Sequence, residues 1–141
     1  MLKVLFLCTG NSCRSQMAEG IGREYGRGLI EVHSAGLLPA GVNPYAIRVM
    51  NEIGIDISGQ TSKAIDAKIL GGMDVIITLC GHAEQLCPTT PLESKRLHWP
   101  IDDPVGTVGT EEKILREFRR ARDEISAKIK EFLLKAKNGQ E

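Results

Sequence analysis

Eight residues near the start of the chain, Cys8-Thr9-Gly10-Asn11-Ser12-Cys13-Arg14-Ser15, have the types and spacing of an oxyanion site that carries its own nucleophile. They follow the apolar run Leu2 to Leu7 and precede a segment with helical spacing. A cysteine at the mouth of a strand-to-helix turn faces unpaired backbone N–H groups and the positive end of the helix dipole. Arg14, six positions on, can fold back and offer a planar fork of donors to a tetrahedral anion. Gly10 and Asn11 tolerate the dihedrals of a tight anion-binding turn, and Ser15 is in reach to hydrogen-bond the sulfur. Both the nest and Arg14 favour the thiolate of Cys8, the nucleophilic form. Cys-x5-Arg alone is weak, and a small buried cysteine on such a turn is the bland alternative. The surrounding residues are what make it informative.

Two further groups could do chemistry. Cys80 and Cys87 bracket Gly81-His82-Ala83-Glu84-Gln85-Leu86 and precede Pro88. On a continuous helix their Cα atoms would lie about 10.5 Å apart, beyond the roughly 4.4–6.8 Å of a disulfide. A bridge therefore needs a loop here, or a helix that melts on oxidation. A zinc site from Cys80, His82, Cys87 and His98, at a spacing that matches no familiar knuckle, and two unconnected core thiols are the competing readings. The third group is Asp102-Asp103-Pro104. An aspartate held by a following proline near a thiolate-bound oxyanion can protonate a leaving oxygen, although Asp-Asp-Pro is also ordinary turn chemistry.

The elements that must position these groups alternate along the chain. Strands are expected at 2–7, 29–34, 73–79 and 96–99. Helices are expected at about 14–26, from Pro44 behind an Asn43 cap to about 53, from Thr61-Ser62 to Gly71-Gly72, and at 111–137. In the last of these Ile114, Phe118, Ala121, Ile125, Ile129 and Phe132 recur at helical spacing. Such alternation predicts a three-layer α/β/α domain around a parallel sheet. Ligands bind beyond the carboxyl ends of such strands, where Cys8, Cys80 and Asp103 all fall.

The chain has 141 residues, enough for one domain over 1–141 with a full core. Eighteen basic and eighteen acidic residues cancel, so no charge argument points to nucleic acid or to an anionic membrane. No apolar run approaches a membrane span, and too few residues precede Cys8 for a signal peptide. A cytoplasmic chain is expected, where cysteines stay reduced and are more often catalytic, redox-active or metal-binding than structural.

Taken together, Cys8-x5-Arg14-Ser15 and the distant Asp103-Pro104 resemble the low-molecular-weight tyrosine phosphatase fold. Residues 6–20 are similar, more narrowly, to thioredoxin-coupled arsenate reductases. So are Ser34-Ala35-Gly36, Gly41 to Pro44, Ile55 to Ser58, Thr78-Leu79-Cys80, His98-Trp99 and Asp102 to Pro104. Cys80 and Cys87 are what separate these reductases from phosphatases on the same fold, and Val105 stands where the phosphatases carry an aromatic residue.

The resemblance implies a four-stranded parallel sheet and a relay of three thiols in a monomer with no cofactor and no metal in catalysis. Arsenate would be held by the backbone of Thr9, Gly10, Asn11, Ser12, Cys13, Arg14 and Ser15 and by the Arg14 side chain. Cys8 attacks arsenic, Asp103 supplies a proton, Cys80 attacks Cys8, and Cys87 attacks Cys80. Thioredoxin then reduces the Cys80–Cys87 disulfide, the whole serving arsenic detoxification. Cys13 is expected to pack beneath the loop and to stay out of the relay. Some members bind a monovalent cation with residues like Asn11, Glu19 and Ser34 and an acidic side chain at position 63. This chain has Lys63, whose ammonium could fill that space and pair with Glu19, or could simply start a helix in solvent. The alternative activity is hydrolysis of phosphomonoesters through a phosphocysteine; a non-enzymatic phosphocysteine carrier on a similar fold is a third.

Overall fold

The computed structural model describes residues 1–81 and 94–139. Four strands, β1 (Leu2–Cys8), β2 (Ile30–Gly36), β3 (Val75–Thr78) and β4 (Lys95–His98), form one parallel sheet in the order β2-β1-β3-β4. Among the described residues the helices are α1 (Arg14–Tyr25), α2 (Pro44–Asn51), α3 (Ala67–Gly71) and α4 (Glu111–Lys137). The three-layer α/β/α reading of the sequence therefore holds.

Central strands β1 and β3 are buried along nearly their whole length because helices cover both faces of a parallel sheet. Apolar side chains from Val4 to Leu7 and Val75 to Ile77 meet Met17, Ile21, Phe118, Ile125 and Ile129 in one continuous core. Phe6, Trp99 and Phe132 pack in a row, tilted and then edge to face, with ring centroids 6.1 Å and 6.0 Å apart, and tie α4 to the sheet. Asn43 caps α2 by accepting from the N–H of Tyr45 at 2.8 Å, with Pro44 in the first turn, as its sequence predicts.

One expected element is corrected. No helix begins at Thr61-Ser62: α3 starts only at Ala67, behind an Asp66 cap. The backbone of 63–65 is committed elsewhere. Gly36 N–H donates to the Lys63 carbonyl at 2.8 Å, and Ile65 N–H donates to the Gly36 carbonyl at 3.0 Å. Lys63 N–H donates to Asn11 Oδ1 at 2.7 Å. Groups that bridge β2 and the anion loop cannot also close helical turns.

Candidate active site

β1 ends at Cys8 and α1 opens at Arg14, so residues 9–13 form the turn between a strand end and a helix start. Cys13, at the helix cap, makes no capping bond through its side chain, and the first turn of α1 holds no acidic residue. The helix start is thus left to an anion from outside. Asn11 sits at φ 44°, in the left-handed region, which turns the loop back on itself. A second stretch of chain lies along the loop and closes its other side. Leu38 N–H donates to the Thr9 carbonyl, Ala40 N–H to that of Gly10 and Asn43 N–H to that of Ser12, each at 2.9 Å. These bonds remove the loop carbonyls from an anion's surroundings. Sequence spacing gave no sign of this role for 38–43.

The mouth so formed is a cavity of about 220 Å³ lined in part by Cys8, Ser12, Arg14, Asn43, Asp103 and Val105. Arg14 is buried, and its Nη1 donates to the Ile101 carbonyl at 2.8 Å while Nη2 lies 3.4 Å from Asp103 Oδ2. That carbonyl, which no motif singled out, holds the guanidinium against the loop. Asp103 is half-exposed at the rim, its other oxygen accepting from Val105 N–H at 3.0 Å.

Cys8 is 3% exposed, and its Sγ lies 2.9 Å from Ser15 Oγ. Asn11 Nδ2 donates to Ser15 Oγ at 2.8 Å and to Ser34 Oγ at 3.0 Å, and Ser34 donates to Glu19 Oε1 at 2.5 Å. Accepting from Asn11 fixes the Ser15 hydroxyl beside the sulfur, where it is placed to donate to a thiolate. Cys80, just past β3, brings its Sγ within 3.1 Å of Thr9 Oγ1, on the wall of the same turn. Cys8, Cys13 and Cys80 are all buried. Burial pushes the Cys13 thiol far up, and the neighbouring Cys8 and Asp103 push it further, so it stays protonated. Cys87, His82 and the rest of 82–93 lie outside the described residues, and with them the Cys80–Cys87 pairing and the zinc alternative.

Glu19 is buried, and its oxygens face Ser34, the Arg23 guanidinium at 2.8 Å and Lys63 Nζ at 3.6 Å. Lys63 therefore pairs with Glu19 and does not start a helix. Two cations already neutralise this carboxylate, so the set of Asn11, Glu19 and Ser34 does not fit a monovalent cation. Among the described residues, no group of three or more His, Cys, Asp or Glu could hold a metal ion. Nor is any helix there long and apolar enough to cross a membrane.

Residues 3–141 match the family model described as low molecular weight phosphotyrosine protein phosphatase. An arsenate reductase of Halalkalibacterium halodurans is 54% identical over 129 residues, 92% of this chain and 93% of that protein. Among solved structures, an arsenate reductase in the phosphate-binding state is 40% identical. It superposes with a TM-score of 0.79 over 96% of this chain and 99% of that one. A thioredoxin-dependent arsenate reductase of Corynebacterium glutamicum is 29% identical, with a TM-score of 0.67 over 92% of this chain and 62% of the other.

Proposed function

The chain belongs to the low molecular weight phosphotyrosine protein phosphatase family and, within it, to the arsenate reductases; on that premise we propose that it reduces arsenate to arsenite through Cys8, Cys80 and Cys87 and is recycled by thioredoxin. The observation that carries the reading is a further cysteine packed against the oxyanion turn. Cys80 stands against Thr9, one residue from Cys8, where hydrolysis of a phosphate ester has no use for it.

Arsenate enters the turn 9–15, its charge met by backbone N–H groups and by Arg14. The Cys8 thiolate attacks arsenic, forming an S–As bond, while Asp103 gives its proton to the departing oxygen, which leaves as water. Cys80 then attacks the Cys8 sulfur. A Cys8–Cys80 disulfide forms, the S–As electron pair moves to arsenic, and arsenic falls from the +5 to the +3 state as arsenite. Cys87 attacks Cys80 in turn, restoring the Cys8 thiolate and leaving a Cys80–Cys87 disulfide. Thioredoxin supplies the two electrons that reopen it; the relative from Corynebacterium glutamicum is one described as thioredoxin-dependent. We read the protein as a cytoplasmic, monomeric enzyme of one domain, serving arsenic detoxification.

The test is arsenate-dependent NADPH oxidation with thioredoxin and thioredoxin reductase, with arsenite measured directly. Stoichiometric arsenite and NADP⁺ are expected. Fast hydrolysis of an aryl phosphate with no detectable arsenite would overturn the reading in favour of a phosphatase.

A further inference from the structure

We propose that Gly36, the last residue of β2, is a positioning residue for Cys8: its missing side chain leaves the space in which Asn11 holds Ser15 as a donor to the sulfur. The inference rests on the reading of Cys8 as nucleophile, but not on which oxyanion Cys8 attacks.

Three stretches of backbone meet at Gly36. It pairs with Cys8 in the β1–β2 register and bridges to Ala64. Its N–H and carbonyl are taken by Lys63 and Ile65. On its open side, a Cβ would stand 2.5 Å from the Asn11 nitrogen, 2.8 Å from Asn11 Cβ and 2.9 Å from the Gly10 carbonyl carbon. Two of these neighbours are backbone atoms, so no rotamer change relieves the clash. Gly36 is held by β1 on one side and by the 63–65 segment on the other. An alanine there cannot retreat, and the Gly10–Asn11 turn has to move.

That turn directs protons. Lys63 N–H donates to Asn11 Oδ1, which fixes the amide so that Nδ2 faces Ser15 and Ser34. Ser15, accepting from Asn11, has its hydroxyl held beside Cys8, placed to donate to the sulfur when that is a thiolate. The Asn11 carbonyl is gripped as well, by Gln16 Nε2 at 2.9 Å and Ser62 Oγ at 2.6 Å. A side chain at position 36 pushes Asn11 out of this grip. Ser15 then loses the partner that holds its hydroxyl against the sulfur, and the thiolate loses a charge-assisted donor.

The experiment is the pH profile of iodoacetamide alkylation at Cys8, read by peptide mass spectrometry on the full-length reduced protein. In Gly36→Ala the Cys8 profile should move to higher pH by about one unit, leaving roughly tenfold less thiolate on its acid side. Asn11→Ala should move it in the same direction. The double variant should move it no further than the larger single change, because both act through one group. Ser62→Ala, which adds no atom and removes one donor to the Asn11 carbonyl, should give a smaller shift of the same sign. A Gly36→Ala profile that coincides with the wild type, or shifts that add in full, overturns the proposal. If Gly36→Ala does not fold, Ser62→Ala decides, and an unmoved profile overturns it. A wild-type Cys8 that alkylates only where ordinary thiols do sinks the nucleophile reading and this inference with it.

Discussion

At the scale of single residues, each group at the mouth faces a different loss when it is changed. Cys8→Ser replaces the proposed thiolate nucleophile by a hydroxyl that stays protonated, and no base in the turn could activate it. All arsenate turnover and any phosphatase activity should vanish, as quantified in the thioredoxin-coupled and aryl phosphate assays. Arg14→Lys keeps a positive charge but loses the fork that spans Ile101 and Asp103, and should be nearly as severe. Cys80→Ser separates the two chemistries. Attack on a phosphate ester and hydrolysis of the phosphocysteine need Cys8, Arg14 and Asp103 alone. Arsenite formation should therefore be lost while weak aryl phosphate hydrolysis remains. Asp103→Ala should slow both by about 10²–10⁴-fold, since both leaving oxygens need a proton. Phosphate and sulfate should compete in either assay as anions of the same shape. Lys63 carries a separate expectation. Its ammonium stands 3.6 Å from Glu19, so potassium should leave the melting temperature of the wild type unchanged. Lys63→Asp should make melting rise with potassium over sodium at equal ionic strength.

At the scale of elements, most of the architecture could be read from the sequence because each strand and helix announces itself by a local rule. The Asn43 cap with Pro44 after it, the terminal helix and the apolar strands β1 and β3 all obey such rules. The segment 61–66 did not. Thr61-Ser62 looks like a helix start, but its neighbours' backbone groups serve Gly36 and Asn11, partners far away in sequence. The same limit hid the 38–43 stretch and the Ile101 carbonyl. Main-chain donors and acceptors carry no residue signature. A long-range ion pair between elements was equally invisible. Glu52, at the end of α2, accepts from Arg119 and Arg122 of α4, each at 2.8 Å. The Arg119 guanidinium, seconded by Arg122, holds the Glu52 carboxyl down to about 2 from its ordinary value of 4.5. A carboxyl lowered in the folded state stabilises above its unfolded value and ceases to do so as pH falls through the folded one. Glu52→Gln should thus be less stable than wild type to urea at pH 7. The gap should close between about pH 4.5 and pH 2. Because Glu52 is partly open to solvent, the gap should also shrink in high salt.

At the scale of the whole molecule, parallel strands put their carboxyl ends on one edge, and that edge collects residues 8, 80 and 103 from three distant parts of the chain. The sheet brings two such separate cysteines together, as the proposed relay requires: β1 and β3 are neighbours in register, Leu7 beside Thr78. The thiol of Cys80 thus arrives beside Thr9 without any loop having to carry it there. The third thiol is of another kind. Cys87 is seven residues on and must pair with Cys80 across a span too long for a continuous helix. The proposed last transfer therefore needs a loop at 80–88 or a helix that melts on oxidation, for which Gly81 and Pro88 are suitable ends. Cys87→Ser removes only that step. One arsenate should still be reduced per enzyme molecule, and the protein should stop with Cys8 joined to Cys80. Intact mass should then fall by two daltons, with the peptides containing residues 8 and 80 linked. Oxidised wild type should instead link the peptides of residues 80 and 87. Its amide hydrogens over 80–88 should exchange faster than in the reduced protein. Steady turnover by Cys87→Ser with thioredoxin would mean that thioredoxin attacks the Cys8–Cys80 bond directly. The three-thiol relay would then shorten to two.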